Sequence, residues 1–322
     1  MISPLGWALT IVAVVGLLAL DMVAGRHRSA AVSPREALGW SAFYVAVAIA
    51  FGVVLGTVAG WDLGGQYFAG YVVEKSLSID NLFVFVMIIA TFSVPAAAQP
   101  RALTAGITIA LVLRAAFIAV GAALLHAFSF MFVVFGVVLL VTAVQMLRHG
   151  DQHTSVADNA LLRAARRRLL ISDRYDGARF TTRIDGRRVA TPLLLVLVAI
   201  GTTDVLFALD SIPAVFGVSR HPYIVFCANA FALLGLRALF FLVSGLLDRL
   251  VYLSRGLAVV LALIGVKLVL EFVHEHVAAV PLISTGASLA AIALILAVTT
   301  VASLLKARRT PRAPQPRPAP AR

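Results

Sequence analysis

The stretches "EKSLSIDNLFVF" (residues 74–85) and "DVLFALDSIPAVF" (residues 204–216) place acidic side chains inside two long apolar segments. Each stretch has two acids six residues apart, and a small polar residue follows the second acid. A charged side chain at the centre of a bilayer costs at least about 2.5–3.5 kcal/mol and usually marks a functional position. The residues that form this shared pattern are Glu74, Asp80, Asn81, Asp204, Asp210 and Ser211.

The composition around these stretches is that of an integral membrane protein. Of the 322 residues, 61% are hydrophobic and only 13% are charged, and the mean hydropathy is +0.98. Because a helix needs about 20 apolar residues to cross a bilayer, we predict an all-α polytopic membrane protein with about nine transmembrane helices. The predicted spans lie near 4–24, 38–60, 66–92, 102–125, 128–147, 191–217, 222–246, 256–273 and 281–304.

The distribution of basic residues predicts the orientation of the chain. With the N-terminus outside, 22 of the 27 Lys and Arg residues fall on the cytoplasmic side, and only Arg220 falls outside. The positive-inside rule therefore predicts a cytoplasmic C-terminus. It also accounts for the net charge of +12 without nucleic-acid binding.

Three matches, one per predicted span and in the same order, indicate an internal repeat. The acidic stretches match each other, "LRAAFI" from Leu113 matches "LRALFF" from Leu236, and "TAVQML" from Thr142 matches "IGVKLV" from Ile264. Because each copy has three spans, the copies enter the membrane from opposite sides. This 3+3 inverted-topology repeat is common in secondary transporters, which bind substrate between the copies. The predicted organisation is two N-terminal helices (1–60), a first repeat (66–148), a cytoplasmic Arg-rich loop (149–190), a second repeat (191–273), a final helix (281–304) and a disordered basic tail (305–322).

The polar side chains within the spans predict a cation site built from oxygen ligands. Carboxylate, amide and hydroxyl oxygens suit Mn²⁺, Mg²⁺ or Ca²⁺, and we predict no permanent cofactor. The predicted metal ligands are Glu74, Asp80, Asp204, Asp210 and Asn81. The predicted supporting hydroxyls are Ser76, Ser78, Thr203 and Ser211, and the predicted counter-charges are Lys75, Arg114, Arg237 and Lys267.

Two alternatives stay open for the acids. Four bases that neutralise four acids would be a purely structural arrangement. If the acids do bind an ion, residues six apart on a straight helix lie about 9 Å apart along the axis and about 120° around it. Each pair therefore requires either a locally broken helix or two levels of a path, and Gly201 and Pro213 favour a break beside the second pair.

Other polar positions are weaker candidates. We expect Asp21 to be solvated at the inner end of the first span, and Glu271 and Glu275 are candidates for an outer vestibule. The Arg-rich loop is either a solvated segment against anionic lipid or, in "ARFTTRIDGRRVATP", a small hairpin with an Asp-Gly turn. The single cysteine, Cys227, excludes a disulfide framework within the chain.

These motifs together resemble the TerC family of integral membrane proteins. The resemblance spans roughly residues 40 to 275, with "EKSLSIDNLFVF" and "DVLFALDSIPAVF" as its most specific parts. It implies a nine-span fold related to LysE-type transporters, a bacterial plasma-membrane location, and metal-ion transport, with manganese efflux best supported. One departure is Gln145, where family members often have lysine.

Three functional hypotheses follow. The first is a secondary transporter, not an enzyme, that exports Mn²⁺ by proton antiport, because the chain has no phosphate-binding Walker A motif. The second is an intramembrane aspartyl protease, which the contexts "LSIDN" and "GTTDV" disfavour. The third is a non-transporting membrane factor that assists metal resistance or protein insertion through its basic loop and tail.

Overall fold

Ten α-helices and one β-hairpin make up the part of the chain that the computed structural model describes, which is residues 3–26, 34–149, 171–172, 174–184, 187–243, 252–277 and 280–309. The predicted disordered tail lies outside the described residues, apart from its first five positions. The elements are α1 (Pro4–Arg26), α2 (Pro34–Ala59), α3 (Trp61–Thr91), α4 (Gln99–Ala127), α5 (Met131–His149), β1 (Thr181–Ile184), β2 (Arg187–Ala190), α6 (Pro192–Phe216), α7 (Pro222–Leu233), α8 (Leu236–Val243), α9 (Leu253–His276) and α10 (Thr285–Arg309).

Eight segments in the described residues are long and apolar enough to cross a membrane, and each coincides with a predicted span. The chain is therefore an all-α polytopic membrane protein. The remaining predicted span, α3, falls outside this set because every stretch of 18 residues within it carries at least three charged side chains. Its 31 residues would nonetheless extend about 46 Å, which exceeds the hydrocarbon core of a bilayer.

The seventh predicted span is broken, which its sequence did not indicate. Helix α7 ends at Leu233 and α8 begins at Leu236, and Gly235 between them has φ of +79°. Glycine adopts this left-handed conformation without the Cβ penalty of other residues. A Cβ at Gly235 would also lie 2.8 Å from side-chain atoms of Tyr44 on α2, so a larger residue would not fit. This broken span is the most buried of the eight.

Helices α3 and α6, in contrast, are continuous. Of the two alternatives left open for Asp204 and Asp210, a break is excluded, because α6 runs without interruption from Pro192 to Phe216. Pro213 lacks one main-chain donor but lies in the last turn of the helix, and its own carbonyl accepts from Gly217 N–H at 2.9 Å. The two acids of each pair therefore lie at two levels, about 9 Å apart along a regular helix.

Close backbone contact joins the two halves of the bundle. Helix α5 packs mainly on α9, α3 on α7, and α4 on α6. A Cβ at Gly136 on α5 would lie 2.8 Å from the carbonyl oxygen of Gly265 on α9, and only glycine at these positions permits this approach. Each helix of α3–α5 thus packs mainly on a helix of α6–α9, a pattern that is compatible with a two-fold relation between the two groups. The 3+3 repeat stays a prediction.

The hairpin predicted before the sixth span is present. β1 and β2 pair in antiparallel register, with Thr181 opposite Ala190. The preceding residues dock on the membrane bundle, since the Tyr175 hydroxyl donates to the Phe92 carbonyl at the end of α3 at 2.6 Å. Part of the Arg-rich loop is therefore ordered against the bundle, while 150–170 lie outside the described residues.

Candidate functional site

Arg114 lies at the centre of the membrane bundle and joins two of the predicted acids. Its side chain is fully buried, as are Glu74 on α3 and Asp204 on α6. Nη1 donates to Glu74 Oε1, while Nη2 lies 3.0 Å from Asp204 Oδ1 and Nε lies 3.3 Å from both Asp204 oxygens. The planar guanidinium fork suits this arrangement, because it donates in several fixed directions at once.

Neutral polar groups complete the cluster around the guanidinium. Ser211 Oγ accepts from Arg114 Nη1 at 3.2 Å, and Ser78 Oγ lies 3.5 Å from Glu74 Oε1. In the amide orientation that satisfies both of its ends, Asn81 donates to the Leu77 carbonyl and accepts from Arg114 Nη2 at 3.3 Å. The predicted ligand Asn81 and the predicted supporting hydroxyls of Ser78 and Ser211 therefore belong to the cluster of Arg114, Glu74 and Asp204.

Two of the predicted supporting hydroxyls bond elsewhere. Ser76 Oγ donates to the Val72 carbonyl at 2.7 Å, and Thr203 Oγ1 donates to the Ala199 carbonyl at 2.7 Å. Such bonds to the residue four positions earlier are common for hydroxyls within helices. The described contacts therefore do not bring Ser76 and Thr203 into the cluster.

The second acid of each pair follows the first by six residues on the same helix. Asp210 is partly buried on α6, and Asp80 is in α3 but its side chain lies outside the described residues. Among the described residues, no three His, Cys, Asp or Glu side chains come together as a metal-binding group. The guanidinium of Arg114 lies between Glu74 and Asp204, in the position that a shared cation would need.

One carboxylate oxygen in the cluster is left unsatisfied. Glu74 Oε2 is buried and has no hydrogen-bond partner among the described residues, although Oε1 of the same group binds Arg114. Buried carboxylate oxygens are normally bonded, and an unpaired one commonly marks the place of an ion or a water molecule. The site therefore offers a free anionic oxygen beside its arginine.

Lys75 forms a hydrogen bond to the main chain beside the break in the seventh span. Its Nζ donates to the Ala232 carbonyl at 3.0 Å. In an unbroken helix that carbonyl would accept from the N–H of Leu236, four residues later, but the helix has ended by then. Lys75 therefore satisfies a main-chain oxygen that the end of α7 would otherwise leave unpaired in the interior of the protein.

Arg237, the predicted counterpart of Arg114, pairs outside the cluster. Its Nη2 lies 2.9 Å from Asp21 Oδ1 on α1, and the Tyr44 hydroxyl on α2 donates to the same oxygen at 3.1 Å. Asp21 is only 7% exposed. The expectation that Asp21 would be solvated is wrong, because Arg237 and Tyr44 satisfy its charge within the bundle.

Lys267 belongs to a separate group at one end of the bundle. It lies 4.0 Å from Glu271, one turn further along α9, and Arg220 donates to Glu271 at 2.9 Å and to Glu275 at 3.4 Å. A cavity of about 230 Å³ adjoins this group, as expected of a vestibule. It is lined by Gln66, Phe216, Gly217, Val218, Arg220, His221, Lys267 and Glu271.

Comparison with known proteins identifies the family. Residues 59–311 match the model of the family described as "Integral membrane protein TerC family". An uncharacterized membrane protein of Mycobacterium tuberculosis is 46% identical over 95% of this chain and 80% of its own length. The thylakoid membrane protein TERC of Arabidopsis thaliana is 43% identical, over 82% of this chain and 67% of its own.

A further relative carries a different kind of name. A protein of Photorhabdus laumondii, provisionally named membrane-bound redox modulator Alx, is 38% identical over 93% of this chain and 94% of its own length. No solved structure matches the chain.

Proposed function

Because this chain belongs to the TerC family of integral membrane proteins, we propose that it is a secondary transporter that exports a divalent metal ion, with Mn²⁺ as the first candidate and Ca²⁺ or Mg²⁺ as others. The observation that carries the proposal is the buried cluster of Glu74, Arg114 and Asp204, contributed by three different membrane helices. A transport site between helices needs groups of this kind at membrane depth.

The described cluster carries a net negative formal charge. Glu74 and Asp204 contribute two negative charges, and Arg114 contributes one positive charge. Arg237 and Lys267 do not enter this balance, because Arg237 pairs with Asp21 and Lys267 lies beside Glu271. The cluster would therefore attract a cation, and we propose that Asp80 and Asp210 add negative charge along the path of the ion.

The same balance suggests how export is driven. Moving a divalent ion outward against 100 mV costs about 4.6 kcal/mol, at about 2.3 kcal/mol for each charge. Protons on the carboxylates would compensate the negative charge of the site once the metal ion has left. Exchange of one divalent ion for protons is therefore the coupling that we propose, with Glu74 Oε2 as the first oxygen to receive the ion.

The test of this function is metal flux in vesicles that contain the purified protein. We expect uptake of Mn²⁺ into vesicles that depends on the protein and increases when the vesicle interior is acidic. Vesicles without protein and vesicles with the exposed-site variant Asp62→Asn provide the controls. Absence of flux for Mn²⁺, Ca²⁺ and Mg²⁺ alike, in correctly inserted protein, would refute transport.

Orientation is the next expected result. With the N-terminus outside a bacterial plasma membrane, a reporter fused after residue 150 should be cytoplasmic and one fused beside Arg220 should be extracytoplasmic. The reason is the 22-to-one distribution of basic residues. The cavity beside Arg220 would then open outward. If both reporters are cytoplasmic, the number of spans between them and the inverted repeat are wrong.

A non-transporting membrane factor is the second candidate, favoured by the docking of the hairpin segment through Tyr175. One relative is named a redox modulator. In this chain the thiol of Cys227 is not accessible for redox chemistry, since the residue is fully buried.

Replacement of residues 151–170 by a neutral linker of equal length distinguishes a transporter from a non-transporting membrane factor. If the protein is a transporter, most of the metal flux should remain, because the acids and the docked hairpin are unchanged. The measurement is the vesicle assay with protein content matched to the parent. Complete loss of flux from well-inserted protein would assign these residues to the mechanism.

A further inference from the structure

Asn229 on α7 carries a buried amide without a partner. The residue is 1% exposed, and neither Oδ1 nor Nδ2 has a hydrogen-bond partner among the described residues. Buried amides are nearly always bonded, and exceptions commonly mark an ion or a water molecule. Glu74 Oε2 has the same property, so these two oxygens on α3 and α7 are both buried without a partner among the described residues.

The packing of α7 on α3 places Asn229 within about one helical turn of the level of Glu74. A Cβ at Gly70 would lie 3.2 Å from the Cβ of Ala228, and Lys75 reaches the carbonyl of Ala232. These two contacts, five residues apart on α3 and four apart on α7, show that the helices run side by side in the same direction. Asn229 is three residues before Ala232, about 4.5 Å along the helix axis.

The direction of Asn229 around α7 follows from the helical period. The side chain of Ala228 faces Gly70 of α3, and Leu233 belongs to an apolar cluster that includes Leu103 and Ile107 of α4. At about 100° per residue, Asn229 projects between these two directions. It therefore lies on the face of α7 toward α3 and α4, the helices that supply Glu74 and Arg114.

On the premise of the metal-export function above, we propose that Asn229 is a further ligand of the transported divalent cation. Its amide oxygen and Glu74 Oε2 would bind the ion together. Carboxylate and amide oxygens are the ligands that hard divalent cations take. An amide adds an oxygen without altering the charge balance of the cluster, and the ion would provide partners for two oxygens that otherwise have none.

The decisive variant is Asn229→Leu, which is close to asparagine in size and removes both orphaned polar atoms. If the amide is a ligand, Mn²⁺ affinity of the purified protein should fall by about tenfold or more, while the melting temperature is unchanged or higher. Binding is measured from the spectroscopic signal of free Mn²⁺ in detergent solution, and export is measured in vesicles. Asn229→Asp keeps an oxygen and should keep binding.

The matched control is Ser288→Ala, which removes another buried and unpartnered polar atom, on α10, and should leave binding unchanged. If the parent exports Mn²⁺ and Asn229→Leu binds and exports equally well, the amide is not a ligand and the proposed function stands. If the parent neither binds nor exports a divalent ion, both proposals fail. If neither Asn229 variant folds while Ser288→Ala does, the amide is structural and the assignment is overturned.

Discussion

Arg114→Gln should unfold the protein or remove it from the membrane. The substitution leaves Glu74 and Asp204 buried without their shared cation, and breaking a buried ion pair in this way costs about 3–5 kcal/mol. That is a large fraction of the stability of a typical domain, which is about 5–15 kcal/mol. The measurement is the amount of protein in membranes and the melting temperature in detergent.

A neutral version of the cluster provides the sharper comparison. The triple variant Arg114→Gln, Glu74→Gln, Asp204→Asn removes the charges together, so it should recover most of the lost stability and still not transport. Arg101→Gln, an exposed arginine on the same helix, should change stability by less than about 0.5 kcal/mol. Normal melting of the Arg114 single variant would show that the acids are neutralised by something other than this arginine.

Asp80→Asn and Asp210→Asn should each abolish metal export and leave the protein in the membrane. Each variant keeps the size of the side chain but removes one negative charge that we propose to attract the ion. Because the ion carries two charges, a carboxylate about 9 Å away contributes about 3–4 kcal/mol at an effective dielectric constant of 20, so affinity should fall by at least about a hundredfold. Insertion should not suffer, because a charge is removed from the membrane rather than added.

The measurement is intracellular manganese in cells that lack their own exporters, with the protein quantified in membranes. Asp62→Asn is the control, because Asp62 is exposed at the start of the same helix as Asp80. If both asparagine variants lower cell manganese as well as the parent does, the acids stabilise helix packing and do not bind the ion.

Hydropathy was sufficient to predict the membrane helices, and the two acidic motifs and their neighbours were sufficient to indicate the family. Each apolar run is bounded by charges or by Gly and Pro, so the spans lie within a few residues of the observed helices. Arg114 was predictable because a buried arginine needs an acid. The hairpin followed from the turn-forming Asp-Gly pair that precedes Arg187.

The features that the sequence did not predict depend on tertiary contacts. The pairing of Arg237 with Asp21 joins residues 216 positions apart, and no local pattern indicates it. The break at Gly235 was missed because Leu-Gly within an apolar run looks the same in a bent and a straight helix. Asn229 was missed because one amide in an apolar helix has no periodic signal, and only its lack of partners distinguishes it.

The central cluster also imposes an order on biogenesis. Glu74 and Arg114 are 40 residues apart, whereas Asp204 follows Arg114 by 90. At about 5–20 residues per second, ribosomes reach Asp204 about 5–18 s after Arg114. The first acid and the arginine can therefore neutralise each other while α3 and α4 enter the bilayer, and the second acid docks on a pair that is already inserted. A nascent chain stopped before α6 would integrate its arginine, whereas one that also lacked Glu74 would bring an unpaired cation to the insertion machinery.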